Sequence, residues 1–366
     1  MVVSIRASQR LEAIPTYEPG LTTAEVLARY GLSAAIKLAS NESPYPPLDA
    51  VQAVVRGGVE SLNRYPDAYG RVLRAQLAER HHVEIDQVVL GNGSCELILL
   101  AGQALLDPAT TVVHADPSFA IYPHLAAASG AEAIAVPLED DGGHDLMTMA
   151  AHVDERTRLV IVCNPNNPTG TYNTLEEFVS FLRAVPKRVV VAVDEAYYEY
   201  VTAPDYPQTL SLREEYPNLV ALRTFSKIHS LAGLRIGYRI GHADLVTELH
   251  KTREPFNVNS LSQAAALACL ENWRVVPERA LRNERERERL AAHLKALGFR
   301  VTPSQANFLL ARCDGNAGQL TTALLHKGVI VRPMHAFGLG EGALRISVGL
   351  PEENDRCVAA LREILS

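Results

Sequence analysis

Three stretches of the sequence carry side chains suited to chemistry, and each follows a run of apolar residues. Asn167 lies in CNPNNPTG, which its prolines and terminal glycine bend into a turn. Asp194 follows five apolar residues, where a buried carboxylate is costly unless it meets a cation. Lys227 follows Ser226 in RTFSKIHSLAGLRIGY, and Arg235 lies at the end of the apolar run after it.

Each stretch also has an ordinary structural explanation when it is taken alone. PNNPTG is a common turn, Asp194 could cap a helix that starts at Glu195, and most lysines lie on the surface. Together, however, they provide a turn amide, a buried acid and a serine-flanked lysine near an arginine. That set supplies what a phosphorylated aldehyde cofactor with a pyridine ring needs.

Short apolar segments in the first two thirds of the chain must position these residues. Their β-branched content and near-continuous hydrophobicity predict strands that are covered on both faces, as in a mostly parallel α/β sheet with flanking helices. Ligands bind at the carboxyl ends of such strands, where the three stretches lie. The predicted strands cover residues 87–90, 110–114, 133–136, 159–163, 188–193 and 218–222.

The pattern of predicted elements changes near residue 260, where helices mixed with short strands follow the α/β part. SLSQAAALACLENW and PERALRNERERERLAAHLKALGF predict helices, and the charge run ERERER is typical of a solvated helix face. FLLARC, GVIVRP and ALRISVG predict short strands before a terminal helix, EENDRCVAALREIL. We therefore expect a large domain over 45–258, and a smaller α+β domain with an N-terminal arm from 1–44 and 259–366.

Composition restricts the class of protein. The 366 residues carry a net charge of -7, which argues against nucleic-acid or anionic-membrane binding. Five scattered cysteines without a CxxC pair predict reduced thiols and no metal site. No apolar run reaches the roughly 18 residues of a membrane span, and the N-terminus lacks a signal-peptide core. We expect a cytoplasmic protein.

The whole chain resembles the fold-type-I pyridoxal-phosphate-dependent aminotransferases, most closely those that act on L-histidinol phosphate. Nine segments carry the resemblance in the family's order. They are YEPG, KLASNESPYPP, RYPD, GNGSCE, NPNNPTG, DEAYYEY, RTFSKIHSLAGLRIGY, REPFNVNSLSQAAALA and LRISVGLPEEN. The resemblance implies the fold-type-I architecture and pyridoxal 5'-phosphate as cofactor.

The resemblance also assigns roles around the cofactor ring. Lys227 would bind the cofactor covalently and then move the proton between the donor Cα and the cofactor. Asp194 would pair with the protonated pyridine nitrogen. Asn167 and Tyr197 would hydrogen-bond the 3'-oxygen. Phe119 occupies the position of a ring that stacks on the pyridine, where tyrosine is common, so it would keep the stacking and lose a hydroxyl.

The cofactor phosphate would lie at the start of the helix after GNG. Backbone N–H groups of Ser94 and Cys95 would hold it, because a helix N-terminus favours anions. Ser226 and Arg235 would complete this site. Cys95 stands where relatives often carry Asp or Asn, so a side-chain contact is weakened or lost. Tyr65 corresponds to a tyrosine that reaches the phosphate from a second subunit, which implies a homodimer with shared active sites.

The family's substrate contacts carry over to four residues. Arg345 would bind a substrate carboxylate through a bidentate fork, and Arg332 would bind the phosphate of L-histidinol phosphate. Both would also serve 2-oxoglutarate as the second substrate. Tyr17 and Asn41 would line the same pocket.

Several other functions remain open at this stage. An aromatic-amino-acid aminotransferase and a threonine-phosphate-type decarboxylase share this scaffold. A non-catalytic protein that binds pyridoxal phosphate would keep the lysine without turnover. A Rossmann dehydrogenase is disfavoured, because Glu96 stands where the third glycine of that fingerprint belongs.

Overall fold

The computed structural model describes Gln9, Ile14 and residues 19–366. The helices of this part of the chain are α1 (Thr23–Tyr30), α2 (Asp49–Gly58), α3 (Arg71–His81), α4 (Ser94–Leu105), α5 (Ile121–Ser129), α6 (Leu146–Ala151), α7 (Leu175–Ala184), α8 (Ala243–Thr252), α9 (Ser260–Glu271), α10 (Val275–Ala296), α11 (Ala317–His326) and α12 (Pro351–Leu365). The strands are β1 (Ile36–Lys37), β2 (Val88–Gly91), β3 (Thr111–Asp116), β4 (Glu132–Pro137), β5 (Thr157–Cys163), β6 (Val190–Asp194), β7 (Leu219–Thr224), β8 (Gly237–Ile240), β9 (Arg300–Val301), β10 (Phe308–Arg312), β11 (Val329–Ile330), β12 (Arg332–Pro333) and β13 (Ala343–Ser347).

The large sheet contains all six predicted strands. Its order is β2-β8-β7-β6-β5-β3-β4. The five strands from β7 to β4 are mutually parallel, and β8 runs antiparallel to β7 and β2. The predicted mostly parallel α/β sheet is confirmed.

Helices cover both faces of this sheet, which explains why its strands read as continuous apolar runs. Alternate residues of β5 point to opposite faces. Ile161 packs in one core with Tyr122 and Leu249 from the helices, while Val160 packs in another with Phe178. Both cores fix the strand ends from which the functional loops start.

A smaller antiparallel sheet of order β12-β13-β10-β9 follows. The predicted strand GVIVRP divides in two: β11 pairs in parallel with β1 of the N-terminal arm, and β12 pairs with β13. The arm continues this pairing, because Leu38 N–H donates to Ile330 at 2.7 Å and its carbonyl accepts from Ser347 N–H at 2.9 Å. The N-terminal arm is thus built into the C-terminal sheet.

Helix α9 begins just after the predicted domain boundary at residue 258. Its buried Ala265 and Cys269 pack in the same core as Leu90 and Phe225 of the large sheet region. The division at residue 258 stays a prediction.

Within the described residues, no helix is long and apolar enough to cross a membrane. The same part of the chain holds no cluster of three or more metal-ligating side chains. The five cysteines are free thiols.

Candidate active site

Twelve of the residues predicted to form the site line one cavity of about 230 Å³, far larger than the space a single water occupies. They come from the arm, from the carboxyl-end loops of the large sheet and from the small sheet. They are Asn41, Ser94, Cys95, Phe119, Asn167, Asp194, Tyr197, Ser226, Lys227, Arg235, Arg332 and Arg345. Tyr65 does not line the cavity, and Tyr17 lies outside the described residues.

Lys227 reaches into the cavity from the loop after β7. Its Nζ donates to the Ser40 carbonyl at 3.4 Å and lies 5.6 Å from the centre of the Tyr197 ring. Burial, together with the nearby positive charge of Arg345, lowers the pKa of Lys227 to about 8. The neutral, nucleophilic amine is therefore available close to neutral pH.

Asp194 ends β6 and is 2% exposed. Its Oδ2 accepts a hydrogen bond from the Tyr122 hydroxyl at 2.9 Å, and its Oδ1 accepts one from Ala196 N–H at 3.2 Å. Burial raises the pKa of Asp194 to about 6, while both hydrogen bonds oppose that rise. Such a carboxylate is suited to receive a cationic N–H. Tyr122 was not among the predicted site residues, because nothing in the local sequence links it to Asp194.

Asn167 and Tyr197 both have partners inside the cavity wall. The Asn167 Oδ1 accepts from Arg345 Nη1 at 2.5 Å. The Tyr197 hydroxyl oxygen accepts from Asn41 Nδ2 at 3.0 Å. Burial holds the pKa of Tyr197 above its usual range, so this phenol remains a hydrogen donor.

The N-terminus of α4 forms an anion site. Gly93 precedes it with a φ of 81°, and a Cβ there would lie 2.5 Å from Arg235 Nη2. The guanidinium therefore lies directly against the turn, and its Nη1 donates to Ser226 Oγ at 3.4 Å. A Cβ on Gly237 of β8 would lie 2.7 Å from Ser94 N, so this strand and the helix start are in close contact. Backbone N–H groups, a hydroxyl and a cation converge here.

Arg332 and Arg345 face each other as register partners of β12 and β13. Arg345 Nη2 donates to the Ala39 carbonyl at 3.0 Å, and the Arg332 guanidinium lies 5.2 Å from the centre of the Phe337 ring. Like charges directly opposite on two strands are unfavourable. A bound anion would relieve this repulsion.

The two departures from the family's pattern lie in the same cavity. The Phe119 ring is edge-on to Tyr122, with ring centres 6.0 Å apart. Burial is the main effect on the pKa of Cys95 and raises it, so the side chain is a neutral thiol. Cys95 adds no negative charge beside the anion site.

A buried ion pair near the site was not predicted from the sequence. Arg223 Nε donates to Glu195 Oε2 at 2.8 Å, with both side chains almost inaccessible to solvent. The two residues lie at the ends of the neighbouring strands β6 and β7, so their proximity could have been predicted. The pair ties the loop after Asp194 to the end of β7, near Lys227.

Tyr65 lies on the surface of the single chain, with 82% of its area exposed. Its ring stacks on Phe256, with centres 4.5 Å apart and planes at 22°. An exposed aromatic pair of this kind is unusual unless a partner covers it.

Comparison with known proteins gives a family match over residues 33–361, to aminotransferase class I and II. The chain is 44% identical to a histidinol-phosphate aminotransferase of Geobacillus sp. (strain WCH70), covering 97% of each. It is 42% identical to that of Bacillus subtilis (strain 168), covering 99% of this chain and 100% of the relative. A solved histidinol-phosphate aminotransferase from Sinorhizobium meliloti, in complex with pyridoxal-5'-phosphate, matches with a TM-score of 0.89 at 26% identity, covering 100% of this chain and 98% of that one.

Proposed function

Because the chain belongs to the aminotransferase class I and II family, which depends on pyridoxal phosphate, we propose that it transaminates L-histidinol phosphate with 2-oxoglutarate. The products would be imidazole-acetol phosphate and glutamate, a step of histidine biosynthesis. The observation that carries this proposal is the near full-length identity of 41–44% to relatives named histidinol-phosphate aminotransferase.

The chain's own residues fit the cofactor. When bound, pyridoxal phosphate supplies an electron sink that stabilises negative charge at the donor Cα. The partly neutral amine of Lys227 would hold the cofactor through its aldehyde carbon, with release of water, and would move the proton at the donor Cα once the donor amine has replaced it. Asp194 would hold the protonated ring nitrogen, while Asn167 and Tyr197 would bind the 3'-oxygen.

The anion site at α4 would hold the cofactor phosphate. The N–H groups of Ser94 and Cys95, the hydroxyl of Ser226 and the guanidinium of Arg235 are the donors. The contact between Arg235 and Gly93 supports this role, because it sets a positive charge against the helix N-terminus. Phe119 would cover one face of the ring.

The paired arginines support a phosphorylated donor. Arg332 and Arg345 lie side by side at the cavity wall, and a doubly charged phosphate balances two guanidinium groups better than a single carboxylate does. The two carboxylates of 2-oxoglutarate would meet the same pair in the second half of the reaction. Both substrates can then use one set of cations.

Exposed apolar side chains support a homodimer with shared sites. Half of the large hydrophobic residues exposed in the described chain lie between residues 54 and 72. They are Val54, Val59, Leu62, Tyr65, Tyr69 and Val72. A second copy that covers this segment would bring Tyr65 toward the partner's cofactor phosphate.

A donor screen tests the proposed reaction. Purified holoenzyme and 2-oxoglutarate are mixed with L-histidinol phosphate, L-histidinol or L-phenylalanine, and glutamate is measured. We expect the phosphorylated donor to be used best. The aromatic donor is included because Phe119, Met334 and Phe337 give the cavity an apolar wall. Glutamate formation only with L-phenylalanine would make the protein an aromatic-amino-acid aminotransferase.

A variant pair tests the assignment of the phosphate contact. With 2-oxoglutarate held at saturation, Arg332→Met should raise KM for L-histidinol phosphate about tenfold or more, since a charge-assisted contact is lost, and should affect KM for L-phenylalanine less. Arg300→Met is the matched control, because Arg300 lies in the same small sheet with 74% of its side chain exposed. Equal losses for both donors would contradict the phosphate role of Arg332.

A further inference from the structure

Asn41 lies at the junction of the arm, the small sheet and the cavity, and it is 1% exposed. Both polar atoms of its side chain have protein partners. Nδ2 donates to the Tyr197 hydroxyl oxygen at 3.0 Å, and Oδ1 accepts from Ser347 Oγ at 3.1 Å. These two bonds fix the orientation of the amide within the protein.

The hydrogen bonds around Ser347 fix which way the Asn41 amide faces. Ser347 Oγ accepts the backbone N–H of Asn41 at 2.9 Å, which leaves the serine hydrogen free to be donated to Oδ1. The amide nitrogen is thereby turned toward Tyr197. Asn307 secures the backbone as well, because its Nδ2 donates to the Asn41 carbonyl at 3.0 Å.

An amide nitrogen can only donate, so the direction of the next hydrogen bond follows. The Tyr197 oxygen receives a hydrogen from Asn41 and must send its own hydrogen elsewhere. Tyr197 lines the cavity near Lys227, whose Nζ lies over its ring. The phenolic hydrogen is therefore directed into the cavity.

We propose that Asn41 is a positioning residue that points the Tyr197 hydroxyl hydrogen at the 3'-oxygen of the cofactor, and that it does not contact the substrate. The inference rests on the proposed cofactor site. It also explains the residue type, since Asn41 has a φ of 54°, a left-handed conformation that asparagine tolerates better than most residues.

The serine that orients the amide belongs to the same strand as the substrate arginine. Ser347 and Arg345 both lie in β13. One strand thus holds a proposed substrate contact and, through Asn41, the direction of a proposed cofactor contact. A displacement of β13 would disturb both together.

Asn41→Asp tests the direction of the hydrogen bond. The aspartate keeps the shape and the left-handed backbone, but it replaces the donor with an acceptor, so Tyr197 would donate to it instead. The 3'-oxygen then loses a donor. We expect the pH midpoint of the visible band of the bound cofactor to rise by about one unit, in the same direction as in Tyr197→Phe.

Two uncharged variants separate the direction of this hydrogen bond from the added charge of the aspartate and from lost packing. Ser347→Ala frees the amide to turn and should give a smaller rise in the same midpoint. Asn41→Gly fits the positive φ and removes the amide without adding an acceptor. Thermal stability should fall, while the midpoint should rise less than in Asn41→Asp, because the Tyr197 hydroxyl is no longer oriented but is not drawn away. A merely structural role predicts instead that the midpoint follows stability across the three variants.

Different results would reject the role of Asn41 and the proposed cofactor contact of Tyr197. A normal midpoint in Asn41→Asp, beside a shifted one in Tyr197→Phe, would overturn the role of Asn41. So would a raised KM for the amino donor without any change in the spectrum, which would make Asn41 a substrate contact. An unshifted midpoint in Tyr197→Phe would reject the cofactor contact itself.

Discussion

At the scale of single residues, burial moves the two central ionisable groups toward neutrality from opposite sides. The pKa of Lys227 falls to about 8 and that of Asp194 rises to about 6. Between these values the carboxylate is mostly charged while part of the lysine is already neutral. At pH 7 the neutral fraction of the lysine is about a tenth, against well under a thousandth for an ordinary lysine.

This arrangement predicts the pH dependence of cofactor uptake by the cofactor-free protein. Because the neutral amine is the nucleophile, the rate should rise through a midpoint near pH 8, and binding should weaken as Asp194 gains a proton below about pH 6. The growth of the visible band after mixing with pyridoxal phosphate measures it. A midpoint near pH 10 would show that Lys227 is not perturbed, and Lys227→Ala should give no such band.

Tyr122→Phe should weaken cofactor binding through Asp194. The variant removes the hydroxyl that donates to the carboxylate, so the pKa of Asp194 should rise further and its hold on the ring nitrogen should weaken. We expect the Kd for pyridoxal phosphate to increase about tenfold, typical of a lost hydrogen bond to a charged group. Equilibrium dialysis of the cofactor gives the value.

Tyr216→Phe is the control for that experiment. Tyr216 is also buried, but it lies in a different core from Tyr122 and does not line the cavity. Its removal should leave the Kd unchanged. Equal Kd values in both variants would mean that the Tyr122 hydroxyl does not act on the cofactor.

Lys227, Asp194 and Asn167 could be predicted from the sequence because each lies in a short, distinctive motif at a strand end. The side chains that support the site residues could not be found in the same way. Tyr122 is 72 positions from Asp194, and Ser347 is 306 positions from Asn41. Side chains that meet only through tertiary packing leave no local pattern.

At the scale of elements, the buried parallel strands were predictable because both faces are apolar. β8 was not, because Gly237 and Arg239 interrupt the apolar pattern of a four-residue strand. The charge run of α10, expected to form a solvated helix face, is solvated only in part. Arg287 is buried and donates to the Ala306 carbonyl at 3.2 Å, and Arg289 bridges to Asp355 of α12. Charged side chains can join elements as well as face water.

Gly237→Ala tests the contact between β8 and the start of α4. The added Cβ would lie 2.7 Å from Ser94 N and 3.0 Å from the Gly93 carbonyl carbon, both backbone atoms that cannot rotate away. We expect α4 to shift, with a Tm lower by several degrees and at least tenfold weaker cofactor binding. Differential scanning calorimetry and cofactor dialysis measure the two effects.

Gly315→Ala provides the comparison, because nothing lies within 4 Å of a Cβ at that position. Its Tm and cofactor affinity should match those of the wild type. If Gly237→Ala behaved in the same way, the close approach of strand and helix would have no part in forming the anion site.

At the scale of the whole molecule, the exposed segment around Tyr65 predicts a dimer with twice the chain mass of 39.9 kDa. Leu62→Glu should break it, since Leu62 is 57% exposed within that segment, whereas Leu365→Glu should not, although Leu365 is 48% exposed at the end of α12. Light scattering after size-exclusion chromatography reports the mass. A monomeric wild type, or a dimer unaffected by Leu62→Glu, would contradict the prediction.

Tyr65→Phe separates assembly from the shared site. The variant should remain dimeric, because the ring that stacks on Phe256 is kept, while cofactor should be released faster, because one hydroxyl contact to the phosphate is lost. Unchanged release would remove Tyr65 from the proposed phosphate site without affecting the dimer.

The pairing of the N-terminal arm with the last strands determines when, during synthesis, the proposed active site can assemble. Domains fold from the N-terminus as the chain emerges from the ribosome, yet the strand partners of Ile36 to Leu38 in the described chain lie at residues 328–330 and at Ser347. The large sheet can form during synthesis, but the wall that holds Asn41 and the arginines cannot. A nascent chain stalled before β13 would therefore hold Lys227 but lack Arg345 and Ser347, so the proposed substrate site would be assembled only after β13 has been made.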